Sequence, residues 1–194
     1  MIDRPTLTII AVFIGVFILQ TVGSVVGFGT EVFALALPLS HRPWTLITSV
    51  FAHSDLLHLL LNSIALLVVG PIVAWRTTAL RFHLFFVLTG TLAGIVQVVL
   101  MIPFGGAAVL GGSSAIFALL GYLLVGNRLS ERTLSWLPVG QRGRAVLFVL
   151  IAAVLTAATA APGVALVSHF VGFCLGAGAG RVRLLHGRND RKGY

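Results

Sequence analysis

Residues 103–125 read PFGGAAVLGGSSAIFALLGYLLV, a Gly-rich run over 103–112 followed by an apolar segment that begins at Ser113 and ends near Val125. Thirteen helical residues, at about 1.5 Å each, reach only roughly 20 Å, short of a hydrocarbon core about 30 Å thick. A helix this short has to begin inside the membrane, with the Gly-rich loop dipping in to meet it. Irregular backbone at that depth survives only where protein buries it or water reaches it. A polar cavity is therefore expected at Ser113 before any motif is considered.

The remainder of the chain supports a membrane setting for this segment. Of its 194 residues 58% are hydrophobic and 9% charged, with a mean hydropathy of +1.05. Soluble domains are nearer a quarter charged, so this composition excludes a water-soluble globular enzyme, a disordered tail and a nucleic-acid binder. Further apolar segments cover about 6–28, 56–73, 82–102, 145–161 and 163–180. The first is too long for a signal-peptide core. Together with 113–125 they predict an all-α membrane protein with six transmembrane helices, the fourth short, forming one domain over 1–194. Residues 29–50 are apolar but carry Pro38, His41, Arg42, Pro43 and Trp44, which predicts an outer loop lying at the interface.

Charge sets the orientation. With the N-terminus in the cytoplasm, that side holds Arg4, Arg76, Arg81, Arg128, Arg132, Arg142, Arg144 and the five basic residues of the tail 181–194. Those are twelve of the thirteen Lys and Arg, leaving only Arg42 outside. Both termini are then cytoplasmic, and the net charge of +8 reads as topology signal and contact with anionic lipid. So compact a chain suggests a multi-pass protein of a prokaryotic plasma membrane. The lone Cys174 excludes an intramolecular disulfide.

Polar side chains inside such helices are costly and invite functional readings, although many only join helices. The acids are Asp3, Glu31, Asp55, Glu131 and Asp190, none at mid-membrane depth, and the only lysine is Lys192. This inventory removes an intramembrane aspartate pair, a Ser–Lys pair and the His-Glu-x-x-His zinc motif. It also lacks the buried carboxylate and inverted repeat expected of a small transporter. What remains is Ser113 or Ser114 with a histidine, a pair able to perform acyl transfer without metal or cofactor. In the outer half of the second segment, His58 and Asn62 stand at i and i+4 and share a face. Both can donate hydrogen bonds, as can the Ser113 backbone N–H at a helix start. His169, Gly172 and Gly176 share one face of the last segment, and Ser114, Ala118 and Gly121 one face of the fourth. Two such small-residue faces allow close approach and could bring His169 to within about 3 Å of the Ser113 hydroxyl.

Three motifs carry a resemblance. Residues 53–62, HSDLLHLLLN, resemble H-x4-H-x3-N; residues 111–121, GGSSAIFALLG, resemble G-x-S-G with small and aromatic residues following; residues 169–176, HFVGFCLG, resemble H-x2-G-x3-G. Their order and spacing resemble those of the rhomboid intramembrane serine proteases, over nearly the whole chain. The resemblance implies Ser113 as nucleophile and His169 as general base and acid. It implies an oxyanion hole of His58, Asn62 and the Ser113 amide, supported by Gly111, Gly112 and Gly172. His53 is matched in position, with a capping or interface role as the alternative. Phe117 stands where the family often has an aromatic against the histidine, with a lipid-facing or core position as the alternative. Substrates would be transmembrane proteins entering sideways from lipid. Two departures stand out. Ser114 occupies a usual glycine, making it a rival nucleophile, and the outer loop lacks a clear Trp-Arg pair. An inactive rhomboid-like protein that binds membrane proteins without cutting them is the rival reading.

Overall fold

The computed structural model describes residues 4–126, 140–160 and 164–185, with only the backbone of Gln141, Arg142 and Ala145. Among the described residues seven α-helices follow in order: α1 Arg4–Val25, α2 Thr45–Phe51, α3 Leu56–Ala74, α4 Ala79–Leu100, α5 Ser113–Gly126, α6 Gln141–Ala158 and α7 Leu166–Arg181. Two 3-10 turns, Thr30–Val32 and Ile102–Phe104, sit in the loops. Among the described residues there is no strand; Leu35 and Val109 form an isolated antiparallel bridge.

By length and composition α1, α3 and α4 are long and apolar enough to cross a membrane. Their outward positions are apolar too: Ile14, Ile18, Leu60, Val68, Leu84 and Leu88 are all exposed. A water-facing helix would carry polar residues there, and a surface this apolar calls for lipid or protein cover. Two helix starts are capped by side chains in the ordinary way. Asp55 accepts the His58 N–H at the head of α3, and Thr78 accepts the Arg81 N–H at the head of α4, each satisfying a donor without an intrahelical partner.

The 14 residues of α5 span about 21 Å, and the loop ahead of it is fastened to the protein. Leu35 and Val109 exchange backbone hydrogen bonds of 2.8 and 2.9 Å, and the Gly111 N–H donates to the Ser49 carbonyl at 2.8 Å. Gly105, Gly106 and Gly111 adopt positive φ, conformations open to glycine and strained for other residues. Residues 29–50 form no spanning helix. They hold α2 and a loop stitched to itself: Arg42 donates to the Glu31 carbonyl at 2.6 Å and the Trp44 indole to the Val32 carbonyl at 2.9 Å. Without being an adjacent Trp-Arg pair, these two side chains fasten the same stretch of backbone.

The closest helix contact is the seam between α5 and α7. A methyl group on Gly172 would overlap the Ser114 carbonyl oxygen, and one on Gly176 that of Ala118. On the other side, Gly121 meets the Phe173 carbonyl and Gly126 meets Gly180. Around the seam lie Phe13, Leu66, Phe82, Phe86, Leu119 and Tyr122, all buried. Gly90 of α4 lies against Val50 and Ala115, an ordinary helix contact.

Several boundaries differ from the sequence reading. The first helix ends at Val25 rather than 28, because Gly27 turns left-handed and the Phe28 N–H closes onto the Gly23 carbonyl, a common helix stop. α6 starts earlier and ends sooner than 145–161. α7 starts at Leu166 rather than 163, placing His169 in its first turn instead of two turns in. The cause is polar. The Ser168 N–H at this helix start has no intrahelical acceptor, and the Gln97 side-chain oxygen of α4 takes it at 3.0 Å. Arg128, Arg132 and residues 186–194 of the basic tail lie outside the described residues.

Candidate active site

Ser113 is the first residue of α5 and His169 the fourth of α7. The seam fixes the two backbones against each other, and the Ser113 Oγ lies 2.7 Å from His169 Nε2. One turn further along α5, the Phe117 ring stacks on the imidazole, with centroids 4.6 Å apart and planes 13° from parallel. Phe117 is thus an aromatic wall for the histidine rather than a lipid-facing side chain. On its other nitrogen, His169 Nδ1 lies 3.0 Å from the Thr159 hydroxyl at the end of α6.

Ser114 points elsewhere. It is buried and donates to the Ser168 hydroxyl at 2.8 Å, which donates in turn to the Ala165 carbonyl at 2.7 Å. The extra hydroxymethyl group fits the seam because α7 offers a second serine to receive it. The Ser114 hydroxyl is thus engaged with another hydroxyl, whereas the contact with His169 belongs to Ser113.

His58 flanks the same serine. A methyl on Gly111 would sit 2.8 Å from His58 Cε1 and Nε2 and 3.8 Å from Ser113 Oγ, so the absent Cβ is what lets the imidazole approach. Its Nδ1 lies 3.1 Å from the Ser54 hydroxyl, and Ser54 donates to the Asp55 carboxylate at 2.7 Å. Asp55 is also the α3 cap; the His58 N–H donates to it at 2.8 Å. That backbone bond, with the Ser54 hydroxyl second, holds the exposed Asp55 carboxyl below the usual carboxylate range. Asn62, one turn below His58, is buried and donates one amide hydrogen to the His58 carbonyl at 3.0 Å. Gly112 lies against the Phe13 ring, and Gly172 against Ser114.

His53 does not cap α3, since Asp55 does. Its backbone is gripped at both ends by the Gln20 amide of α1, with hydrogen bonds of 3.0 and 3.2 Å. Its ring is 1% exposed and wedged between Phe13 and His58, with centroids at 4.6 and 5.0 Å. This makes it a prop behind His58. Among the described residues no group of three or more His, Cys, Asp or Glu could hold a metal ion.

Sequence reasoning overlooked Gln20, Gln97, Ser168 and Thr159. Gln20 and Gln97 carried a usable signal, an amide in the middle of an apolar segment. Thr159, in an Ala/Thr run, carried none.

Residues 40–186 match the Rhomboid domain family. The chain belongs to the rhomboid family. It is also similar to RHOMBOID-like protein 5 of Arabidopsis thaliana, 30% identical over 143 residues, which cover 73% of this chain and 44% of that protein. The chain therefore spans less than half the length of this relative. All three rhomboid motifs lie within the matched residues, whereas α1, which supplies Gln20 and Phe13, precedes them.

Proposed function

We propose that this rhomboid is an intramembrane serine endopeptidase that hydrolyses peptide bonds in or near transmembrane segments of other membrane proteins. The 2.7 Å contact between Ser113 and His169 carries the reading. In it, His169 Nε2 takes the hydroxyl proton as Ser113 Oγ attacks the scissile carbonyl carbon, then delivers that proton to the leaving amine. Water, activated by the same nitrogen, hydrolyses the acyl-enzyme and releases Ser113. In this reading His58, Asn62 and the Ser113 N–H supply the oxyanion hole, Asn62 by turning its amide from the His58 carbonyl, and each such donor is worth about 10²–10³ in rate. No metal or cofactor takes part.

The same reading places α1, α3, α4, α5, α6 and α7 as six spans of one domain, α5 beginning at membrane depth. Both termini are cytoplasmic, in a plasma membrane of prokaryotic type. Substrates reach Ser113 from lipid.

The test is cleavage of a generic transmembrane substrate by purified protein in liposomes, beside Ser113→Ala, His169→Ala and Ser114→Ala. The expected result is activity lost in the first two and retained in the third. Activity lost only in Ser114→Ala would move the nucleophile by one residue. A wild type that binds the substrate without cutting it would favour the inactive-binder reading.

A further inference from the structure

We propose that Thr159, at the C-terminal end of α6, is a positioning residue that selects the tautomer and fixes the orientation of the His169 ring. The inference rests on the protease reading for its catalytic consequence, but its geometry stands independently.

The argument is a placement of protons. Thr159 Oγ1 lies 2.8 Å from the Thr156 carbonyl and 3.0 Å from His169 Nδ1, and His169 Nε2 lies 2.7 Å from Ser113 Oγ. A carbonyl can only accept, and a threonine hydroxyl has one proton to give. If Thr159 donates to Thr156, it accepts from Nδ1–H. Nε2 then bears the lone pair and accepts the Ser113 hydroxyl proton, so all three contacts are hydrogen bonds. In the other tautomer Nε2–H donates to Ser113, Thr159 has to donate to Nδ1, and its contact with Thr156 is lost. The first arrangement satisfies one more bond in a part-buried site where unmade bonds are costly. It is also the only one in which the imidazole can act as a base toward Ser113.

The stacked Phe117 ring constrains the imidazole plane but does not distinguish the two orientations related by a half-turn about Cβ–Cγ, which exchanges Nδ1 with Cδ2. The Thr159 contact fixes that remaining rotation, the task a carboxylate performs in a three-member triad. Among the described residues no carboxylate bonds His169 Nδ1; a neutral hydroxyl takes the position. When His169 becomes an imidazolium during attack, Nδ1–H makes a stronger bond to the same oxygen.

The test compares Thr159→Val, close in shape and without the acceptor, with Thr159→Ser, which restores the hydroxyl. Thr159→Val should lower kcat about tenfold or more with KM unchanged. That is well short of the roughly 10⁴-fold loss when a charged orienting group is replaced. Thr159→Ser should recover most of the rate. Nitrogen-15 NMR of His169 in the Ser113→Ala background reads the tautomer without needing activity. A protonated Nδ1 and unprotonated Nε2 are expected, with that preference lost when Thr159→Val is added. Wild-type kcat in Thr159→Val, an equal loss in Thr159→Ser, or an Nε2-protonated ring with Thr159 intact would each overturn the proposal. If the wild type cleaves nothing and Ser113 takes up no serine-reactive probe, the protease reading fails instead, and NMR alone decides the role of Thr159.

Discussion

Two of the helices packed against α7 hold it in opposite ways. Against α5, backbone meets backbone, with Gly172 and Gly176 on the Ser114 and Ala118 carbonyls. Against α6, Ala152 and Thr156 are buried while Val146, Val149, Leu150 and Val154 face outward, and a side-chain bond from Thr159 reaches the site. The seam fixes how far apart Ser113 and His169 stand. The α6 side governs how the ring between them is turned. A site that needs a 2.7 Å contact can tolerate change on the second side far better than on the first.

The largest effect should therefore come from the seam. Gly176→Val forces a branched side chain into a rigid carbonyl, and overpacking of this kind costs about 3 kcal/mol or more where nothing can yield. Thermal unfolding in detergent should show a large drop or no folded protein. Val154→Ala, at a 67% exposed position on α6, should stay within about 0.5 kcal/mol. Similar midpoints for the two variants would contradict the contrast.

Gly111→Ala tests the approach to the serine. Its φ of +117° is a conformation that costs a non-glycine residue about 1–3 kcal/mol, and the new methyl would press on His58. Cleavage should fall by more than the melting shift explains, as His58 is pushed from Ser113. A variant with normal turnover would remove His58 from the site.

A more modest loss belongs to the cap of α3. Asp55→Ala removes the α3 cap, worth about 1 kcal/mol. Because the folded carboxyl titrates below the usual range, its contribution is present above about pH 4 and is lost as pH falls through the folded value. Acid unfolding of the wild type should carry this component, and Asp55→Ala should lack it.

The legible part of this molecule was local in sequence. Ser113, His58 and His169 stood out because polar groups in apolar segments are conspicuous, and Gly172 and Gly176, at i+3 and i+7 from His169, announced the seam. The start of α7 and the roles of Gln97, Gln20 and Thr159 were hidden, because each depends on a contact between helices. Gln97 and Ser168 are 71 residues apart in the chain, and no periodicity within either helix links them. Ser114 stood out as a departure from the family pattern; its partner Ser168 explains it only once the helices are placed.

The most direct measurement is reaction of the purified protein in bilayers with a fluorophosphonate, followed by mass spectrometry of the modified peptide. Modification at Ser113, abolished in His169→Ala and unchanged in Ser114→Ala, is the expected result. Modification at Ser114, or at Ser113 at the same rate without His169, would contradict the Ser113–His169 pair as the working centre of this rhomboid.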